Sequence, residues 1–193
     1  MAGAVIVSSS EDRFLSDIEA RALLRELRVG RSRDCYAAAV LMLNLGLRIG
    51  EALTLRATDV SKRGRSLSVR TLKRRAEISH TFDVPESVAR VLREQLARAS
   101  AWWLFPGHDP ERALTARAVE KTLKAAAARA GIERAVTPHM LRHTRGMAVW
   151  SASRDRALVT HDLRHADARS ANSYVHADPA RYLETTRKIR PIT

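Results

Sequence analysis

Between Thr58 and Val84 the chain leaves a helical rhythm for a two-residue one, then returns to helical patterning for the rest of its length. Within that window lie Ser66-Leu67-Ser68-Val69-Arg70 and Ile78-Ser79-His80-Thr81-Phe82-Asp83-Val84, alternating runs rich in β-branched and aromatic residues. Such runs fit a pleated, half-buried surface and predict two or three antiparallel strands, with turns near Arg63-Gly64 and around Arg74–Glu77. Pro85 closes the sheet. The expected fold class is α+β, a mainly helical single domain with a small antiparallel three-stranded sheet.

The helices on either side announce their ends. Ser16-Asp17-Ile18-Glu19 reads as a capping box, with Ser16 as N-cap and Glu19 reaching back, and opens a helix to about Leu27. A second, apolar helix runs from about Arg33 to Leu45, and Gly46 can supply the left-handed residue that ends it. A short helix is expected around Gly50–Leu55 and another over Glu86–Ala99. Trp102-Trp103-Leu104-Phe105-Pro106-Gly107 reads as an aromatic loop anchored on the core at a Pro-Gly turn, with base stacking as the sharper alternative. Thr115 caps an Ala-rich helix ending at Gly131. Further helices are expected over Pro138–Trp150, Asp155–Leu163, Asp167–Tyr174 and Pro179–Lys188, the last with Asp178 as N-cap and Pro179 in its first turn.

With 193 residues, 45% of them apolar, the chain is long enough for one domain with a real core. Lys and Arg number 34 against 21 Asp and Glu, a formal charge of +13 carried mostly by arginine. That balance favours a polyanionic partner, because each neutralised phosphate releases a counterion; a ribosome-associated or plainly basic protein is the blander reading. The single cysteine, Cys35, lies in an apolar run and reads as a small buried hydrophobe; it supports neither a disulfide framework nor a Cys-based zinc site. No signal peptide or membrane-length apolar stretch is visible, since Asn44 and Arg48 interrupt the best candidate, and a cytoplasmic protein is expected.

Three segments carry chemistry. In Leu45-Gly46-Leu47-Arg48-Ile49-Gly50-Glu51-Ala52-Leu53, Arg48 stands between two glycines at a helix junction, where a forked guanidinium can grip two phosphate oxygens. Glu51, three residues on, can orient it; a surface Arg–Glu pair is the alternative. In Pro138-His139-Met140-Leu141-Arg142-His143, His139 and Arg142 are three apart and share a helix face, which suits a proton carrier beside a second phosphate clamp. His139 and His143, four apart, have the spacing of a zinc pair, but no third ligand stands out and no metal is expected. Third come Leu163-Arg164-His165 and, nine residues beyond His165, Tyr174. A phenol attacks only where a base or cationic surroundings favour its phenolate. Tyr36, in an apolar helix, and Tyr182 read as packing tyrosines.

The order Arg…Lys…His-x-x-Arg…His…Tyr resembles the signature of the tyrosine recombinases, the phage integrases and Xer-like resolvases. Leu45–Leu53 is similar to the family's first arginine box almost letter for letter, and Pro138–Thr144 to its His-x-Leu-Arg-His box. The 22 residues from His143 to His165 and the nine from His165 to Tyr174 are both usual spacings there. The resemblance covers about residues 14–188. It implies that Arg48 and Arg142 hold the scissile phosphate, with Glu51 and His143 in support. His139 assists proton transfer with the tyrosine, His165 donates a hydrogen bond to the phosphate, and Tyr174 attacks to give a 3′-phosphotyrosine. The family's leaving-group lysine sits on the turn between its second and third strands, where Lys73 is the best match. Arg74 and Arg75 beside it are candidate DNA-backbone contacts, and their charge would lower a lysine pKa.

The same resemblance implies double-stranded DNA with specific recombination sites as substrate, a homotetramer on DNA, and accessory DNA-bending proteins as further partners. No cofactor, metal or membrane is expected. Residues 1–13 read as a flexible lead and 14–193 as the catalytic domain, including a C-terminal helix over 178–188 that packs on a neighbouring subunit. The family's N-terminal clamp domain is not in the sequence, so weak, steeply salt-dependent DNA binding is expected of this chain alone. Two departures stand out: Arg164 takes the place of a customary glycine, and Ser153 that of a common turn glycine. A relaxing topoisomerase of the phosphotyrosine type and a DNA-binding regulator or architectural protein without cleavage remain alternatives.

Overall fold

The computed structural model describes residues 13–30, 32–73, 76–100, 102–164 and 179–193, with 71–73, 76–78 and 179 given by backbone alone. Among these, α1 (Asp17–Val29), α2 (Arg33–Leu45) and α3 (Ile49–Leu53) precede strands β1 (Ser66–Lys73) and β2 (Ala76–Asp83). Helices α4 (Glu86–Leu96), α5 (Ala116–Arg129), α6 (Pro138–Ser153), α7 (Arg156–Asp162) and α8 (Pro179–Lys188) follow. The expected lead, apart from residue 13, and the expected Asp167–Tyr174 helix lie outside the described residues, as does Asp178.

Helix α2 is the axis of the fold. Residues Cys35 to Leu45 are all buried, so this helix is apolar on every side and needs cover all round. Helices α1, α3, α4, α5 and α6 pack against it. Its one polar interior residue, Asn44, must find partners in that setting. The C-terminal tail provides them: Asn44 Nδ2 donates to the Ile192 carbonyl at 2.8 Å, and the Ile192 N–H donates back to Asn44 Oδ1 at 2.8 Å. Cys35 is buried in the core, as expected.

Helix α1 opens with the capping box read from Ser16 and Glu19, both reciprocal bonds being present. Arg134 clamps the same carboxylate at 2.5 and 2.8 Å, and with Ser16 it holds Glu19 down at about 2. Helix α4 stops at Leu96, short of the expected Ala99. Its last turn tightens, with Arg98 N–H reaching Gln95 and Ala99 N–H reaching Leu96. The aromatic loop is anchored as expected: Leu104 and Phe105 are fully buried and Trp103 Nε1 donates to the Glu111 carbonyl at 2.9 Å, while Trp102 stays exposed.

The sheet differs from expectation. Two antiparallel strands, β1 and β2, pair from Ser66↔Asp83 to Lys73↔Ala76. In place of a third strand, one isolated bridge, Val60↔Leu67, joins β1 among the described residues. The reason is local. Residues 57–59 coil into a 3₁₀ turn with Asp59 accepting from the Arg56 N–H, and the chain reverses at once through Gly64 at φ 68°. Between those two turns there is room for one paired residue. Pro85 ends the sheet as read, and Val84 is buried beneath it.

Candidate active site

The site begins where α2 ends. Gly46 takes φ 60°, a left-handed conformation that lets the chain double back after Leu45. A Cβ there would also lie 2.7 Å from Leu163 Cδ2, so glycine is required by space as well as by backbone. Leu47 is buried and Arg48 follows in extended conformation as the N-cap of α3. Glu51 then does two jobs at once. It accepts from the Arg48 backbone N–H at 2.8 Å, capping the helix, and from Arg48 Nη1 at 2.9 Å, fixing the guanidinium. The structure thus places Glu51 in contact with both the backbone and the side chain of Arg48.

Arg142 arrives from α6. Thr137 caps that helix, its side chain accepting from Met140 N–H at 3.2 Å, and Pro138 occupies the first turn. Arg142 is buried, and its two terminal nitrogens donate to the carbonyls of Gly46 and Leu163. Its charge also faces Glu51 Oε2 at 3.9 Å. Burial, then the neighbouring charges of Arg48 and Arg164, draw its pKa down to about 10, which still leaves it cationic at neutral pH.

The third contributor comes from α7. Leu163 wedges between two glycines, since a Cβ on Gly46 or on Gly146 would strike its side chain at 2.7 or 2.9 Å. That fit draws the end of α7 against the end of α2 and places Arg164, at φ 50°, inside the cluster. Arg164 is 6% exposed. Its guanidinium donates to Glu51 Oε2 at 3.0 Å, to Gly46 and Leu45 carbonyls at 3.3 Å each, and to the Asp162 carbonyl at 3.1 Å. The ring of Phe82 lies beneath it at 4.7 Å. Arg48 Nη2 in turn donates to the Arg164 carbonyl at 3.2 Å.

Three guanidinium groups therefore face one carboxylate. Burial opposes ionisation of Glu51, but Arg164 and Arg48 outweigh it and hold the acid at about 2. Among the described residues the cluster has a formal excess of two positive charges. A preorganised cationic centre of this kind stabilises an anion most where charge accumulates, as on a pentavalent phosphorus.

The other sequence candidates divide. His139 is exposed near the start of α6, its ring edge-on to His143 at 4.5 Å. Partial burial, then the charges of His139, Arg13 and Arg142, push His143 below the ordinary histidine value. Lys73 is the last residue of β1, at the hairpin tip opposite Ala76; Arg74 and Arg75 lie outside the described residues. So do His165 and Tyr174; the described chain breaks off at Arg164, inside the cluster, and resumes at Pro179.

The two described tyrosines are both held as phenols. Burial raises Tyr36, and burial together with the Asp162 charge raises Tyr182 well beyond its ordinary value. Tyr182 donates to Asp162 Oδ1 at 2.9 Å, so the C-terminal helix packs on its own chain at this point. Sequence reading missed Arg164 as a member of the cluster, and it did not single out His80, which feels the Arg164 charge. The signal for His80 was present in the alternation of β2, which puts it on one face with Phe82. Burial and then the Arg164 charge lower the His80 pKa.

Comparison with known proteins bears on this cluster. The model of the phage integrase family matches residues 13–181. An Escherichia coli integrase/recombinase is 37% identical over 93 residues, covering 48% of this chain and 26% of that protein. Among solved structures, the XerA recombinase superposes with TM-score 0.70 at 23% identity, over 92% of this chain and 65% of that one. The XerH site-specific recombinase bound to its difH substrate gives 0.65 at 22% identity, over 92% and 58%. The chain thus spans about a quarter of the curated relative and less than two thirds of these structures.

Proposed function

The chain belongs to the phage integrase family, the tyrosine recombinases, and on that premise we propose that it cuts and rejoins DNA at specific sites through Tyr174. Residues 14–193 form the catalytic domain in this proposal. What carries it is one observation: Arg48, Glu51 and Arg142, up to 94 positions apart in sequence, meet in a single cationic cluster from which the chain leads directly into His165.

The chemistry follows from the arrangement. Tyr174 Oη attacks phosphorus, forming a tyrosyl–phosphorus bond and breaking the bond to the 5′-oxygen. The tyrosine proton passes to His139, and Lys73 supplies a proton to the departing 5′-oxygen. Arg48, Arg142 and His165 hold the phosphate while negative charge builds on it. Arg48 is suited to this, being half-exposed with two of its five N–H groups engaged at Glu51 and Arg164. Arg142 likewise has two of its five N–H groups engaged, one on each terminal nitrogen at the Gly46 and Leu163 carbonyls, which fix the guanidinium and leave N–H groups for phosphate. Tyr36 and Tyr182, both held protonated, are poor nucleophiles, which supports Tyr174 as the attacking group. The phosphoester energy is kept in the intermediate, so the reverse attack by another 5′-hydroxyl needs no nucleotide. Strand exchange between two sites in a homotetramer, assisted by DNA-bending proteins, completes the proposal.

The test uses a library of nicked duplexes with randomised sequence, in which cleavage releases a short strand and traps the adduct. Incubated in EDTA, the wild type should yield a covalent protein–DNA species on denaturing gels whose sequences converge on a site, and Tyr174→Phe should yield none. Bound DNA without adduct would instead support a binding protein, and supercoil relaxation without site preference a topoisomerase.

A further inference from the structure

Resting on the recombinase reading, we infer that Arg164 is a positioning residue that locks both phosphate-holding arginines through Glu51 and the Gly46 carbonyl.

Four of the five N–H groups of Arg164 are spent on protein acceptors. Nη1 donates to the carbonyls of Leu45 and Asp162, and Nη2 to the Gly46 carbonyl and Glu51 Oε2. With its side chain 6% exposed and stacked on Phe82, this fork is turned inward and is not itself a phosphate ligand. Its acceptors are the same groups that hold the other two arginines. Glu51 Oε2 receives both Arg164 and the Arg48 backbone, while Oε1 receives the Arg48 side chain. The Gly46 carbonyl receives both Arg164 and Arg142. The Arg164 carbonyl receives Arg48.

Removing the guanidinium therefore loosens Arg48 by freeing Glu51, and Arg142 by freeing the Gly46 carbonyl, with no loss of a direct phosphate contact. The positive φ of 50° at this position costs an arginine conformational energy that a glycine would not spend, and the four bonds and the buried stack offset it. A planar fork is needed for this; a lysine has three donors on a single nitrogen and cannot span the four acceptors that two arginine nitrogens reach.

Two variants test the inference, Arg164→Gln and Arg164→Gly, the second relieving the left-handed backbone so that a folded protein is available. Misplacement of a catalytic group by about 1 Å typically costs about 10²-fold, so adduct formation on the trapped duplex should fall by about 10- to 100-fold. DNA affinity, read by fluorescence anisotropy, should stay within about threefold, because Arg164 touches no phosphate. An activity-free readout goes alongside: the ¹⁵N guanidinium signal of Arg48, assigned with Arg48→Lys. Rotation about its Cζ–Nε bond should be slow in the wild type and fast in both variants. Adduct formation at the wild-type rate in either folded variant would overturn the inference, as would an Arg48 guanidinium that stays fixed. A wild type that binds DNA without cleaving sinks the recombinase reading instead, and the guanidinium signal still decides the role of Arg164.

Discussion

Helices α6 and α7 carry two buried arginine centres, and their charges are met in opposite ways. Arg145 faces Asp162 through paired bonds of 2.9 and 2.8 Å, and Tyr182 takes up the remaining demand of that carboxylate. Burial opposes the Arg145 charge, but Asp162 and Tyr182 outweigh it and raise its pKa. One cation, one anion and one phenol close on themselves. A few residues away, Arg48, Arg142 and Arg164 share the single carboxylate of Glu51. The first centre needs nothing more and joins α6, α7 and α8. The second, among the described residues, is short of negative charge, and under the proposed function a phosphodiester in its transition state supplies what is lacking. A buried pair is destabilising once either partner is removed; a buried excess of one sign is a candidate site for a ligand of the other.

The sharpest way to break this comparison is to remove the anion of the closed centre. Asp162→Ala leaves Arg145 buried without a partner, and stripping one member of a buried pair costs about 3–5 kcal/mol. Urea unfolding should show that loss, and the gap to wild type should persist when both proteins are saturated with DNA, because the deficit lies away from the proposed phosphate site. A stability change under about 1 kcal/mol would mean that the pair is solvated and the contrast false.

The open centre should respond in activity instead. Arg48→Ala removes a half-exposed side chain while Glu51 keeps its bond to Arg164. Loss of a preorganised donor at a developing oxyanion costs about 10²–10³ in rate, so adduct formation should fall by that factor with unfolding little changed. A variant that unfolds but cleaves normally when folded would reverse the assignments of the two centres.

How far these centres could be read in advance depended on the range of their contacts. The first arginine box was legible because its geometry is local. Gly46 turns the chain, and Glu51 meets Arg48 three residues away, both within reach of capping rules. The seat of Arg164 was not. Its partners Glu51 and Gly46 lie 113 and 118 positions distant, so a sequence comparison saw only bulk where glycine is customary. Asn44 was similar: it read as an interruption of an apolar run, and its partner proved to be Ile192 at the other end of the chain. The third strand failed for the converse reason. The composition around Thr58 favours a strand, but two turns too close together left only the bridge at Val60. The helix starts at Ser16 and Thr115 were read from their caps, because a cap acts on its own first turn, and the structure adds the caps at Thr137 and Asp155.

Tyr182→Phe probes the closed centre more gently. It deletes one hydrogen bond to a charged acceptor, worth about 1.5–3 kcal/mol, and leaves Arg145 paired with Asp162. Thermal unfolding should shift down with cleavage intact, separating a structural tyrosine from the proposed nucleophile. Loss of the adduct in a folded Tyr182→Phe protein would count against Tyr174.

The smallest effect lies in acid. Glu51 has an ordinary value of 4.5 and is held at about 2 in the fold, so it is depressed. A depressed acid contributes stability that is present above its unfolded value and lost as pH falls through its folded one. The Glu51 contribution is therefore complete above pH 4.5 and disappears towards pH 2. Glu19, held by Arg134 at about 2, titrates over the same window and has to be silenced first. In a Glu19→Gln background, adding Glu51→Gln should flatten the remaining decline in unfolding free energy between pH 4.5 and the acid limit of folding. Curves of equal slope would mean that Glu51 is no better solvated by its three arginines than by water. The open centre would then hold its cations apart without a shared anion, and the excess charge that distinguishes it from Arg145 and Asp162 would have no local cause.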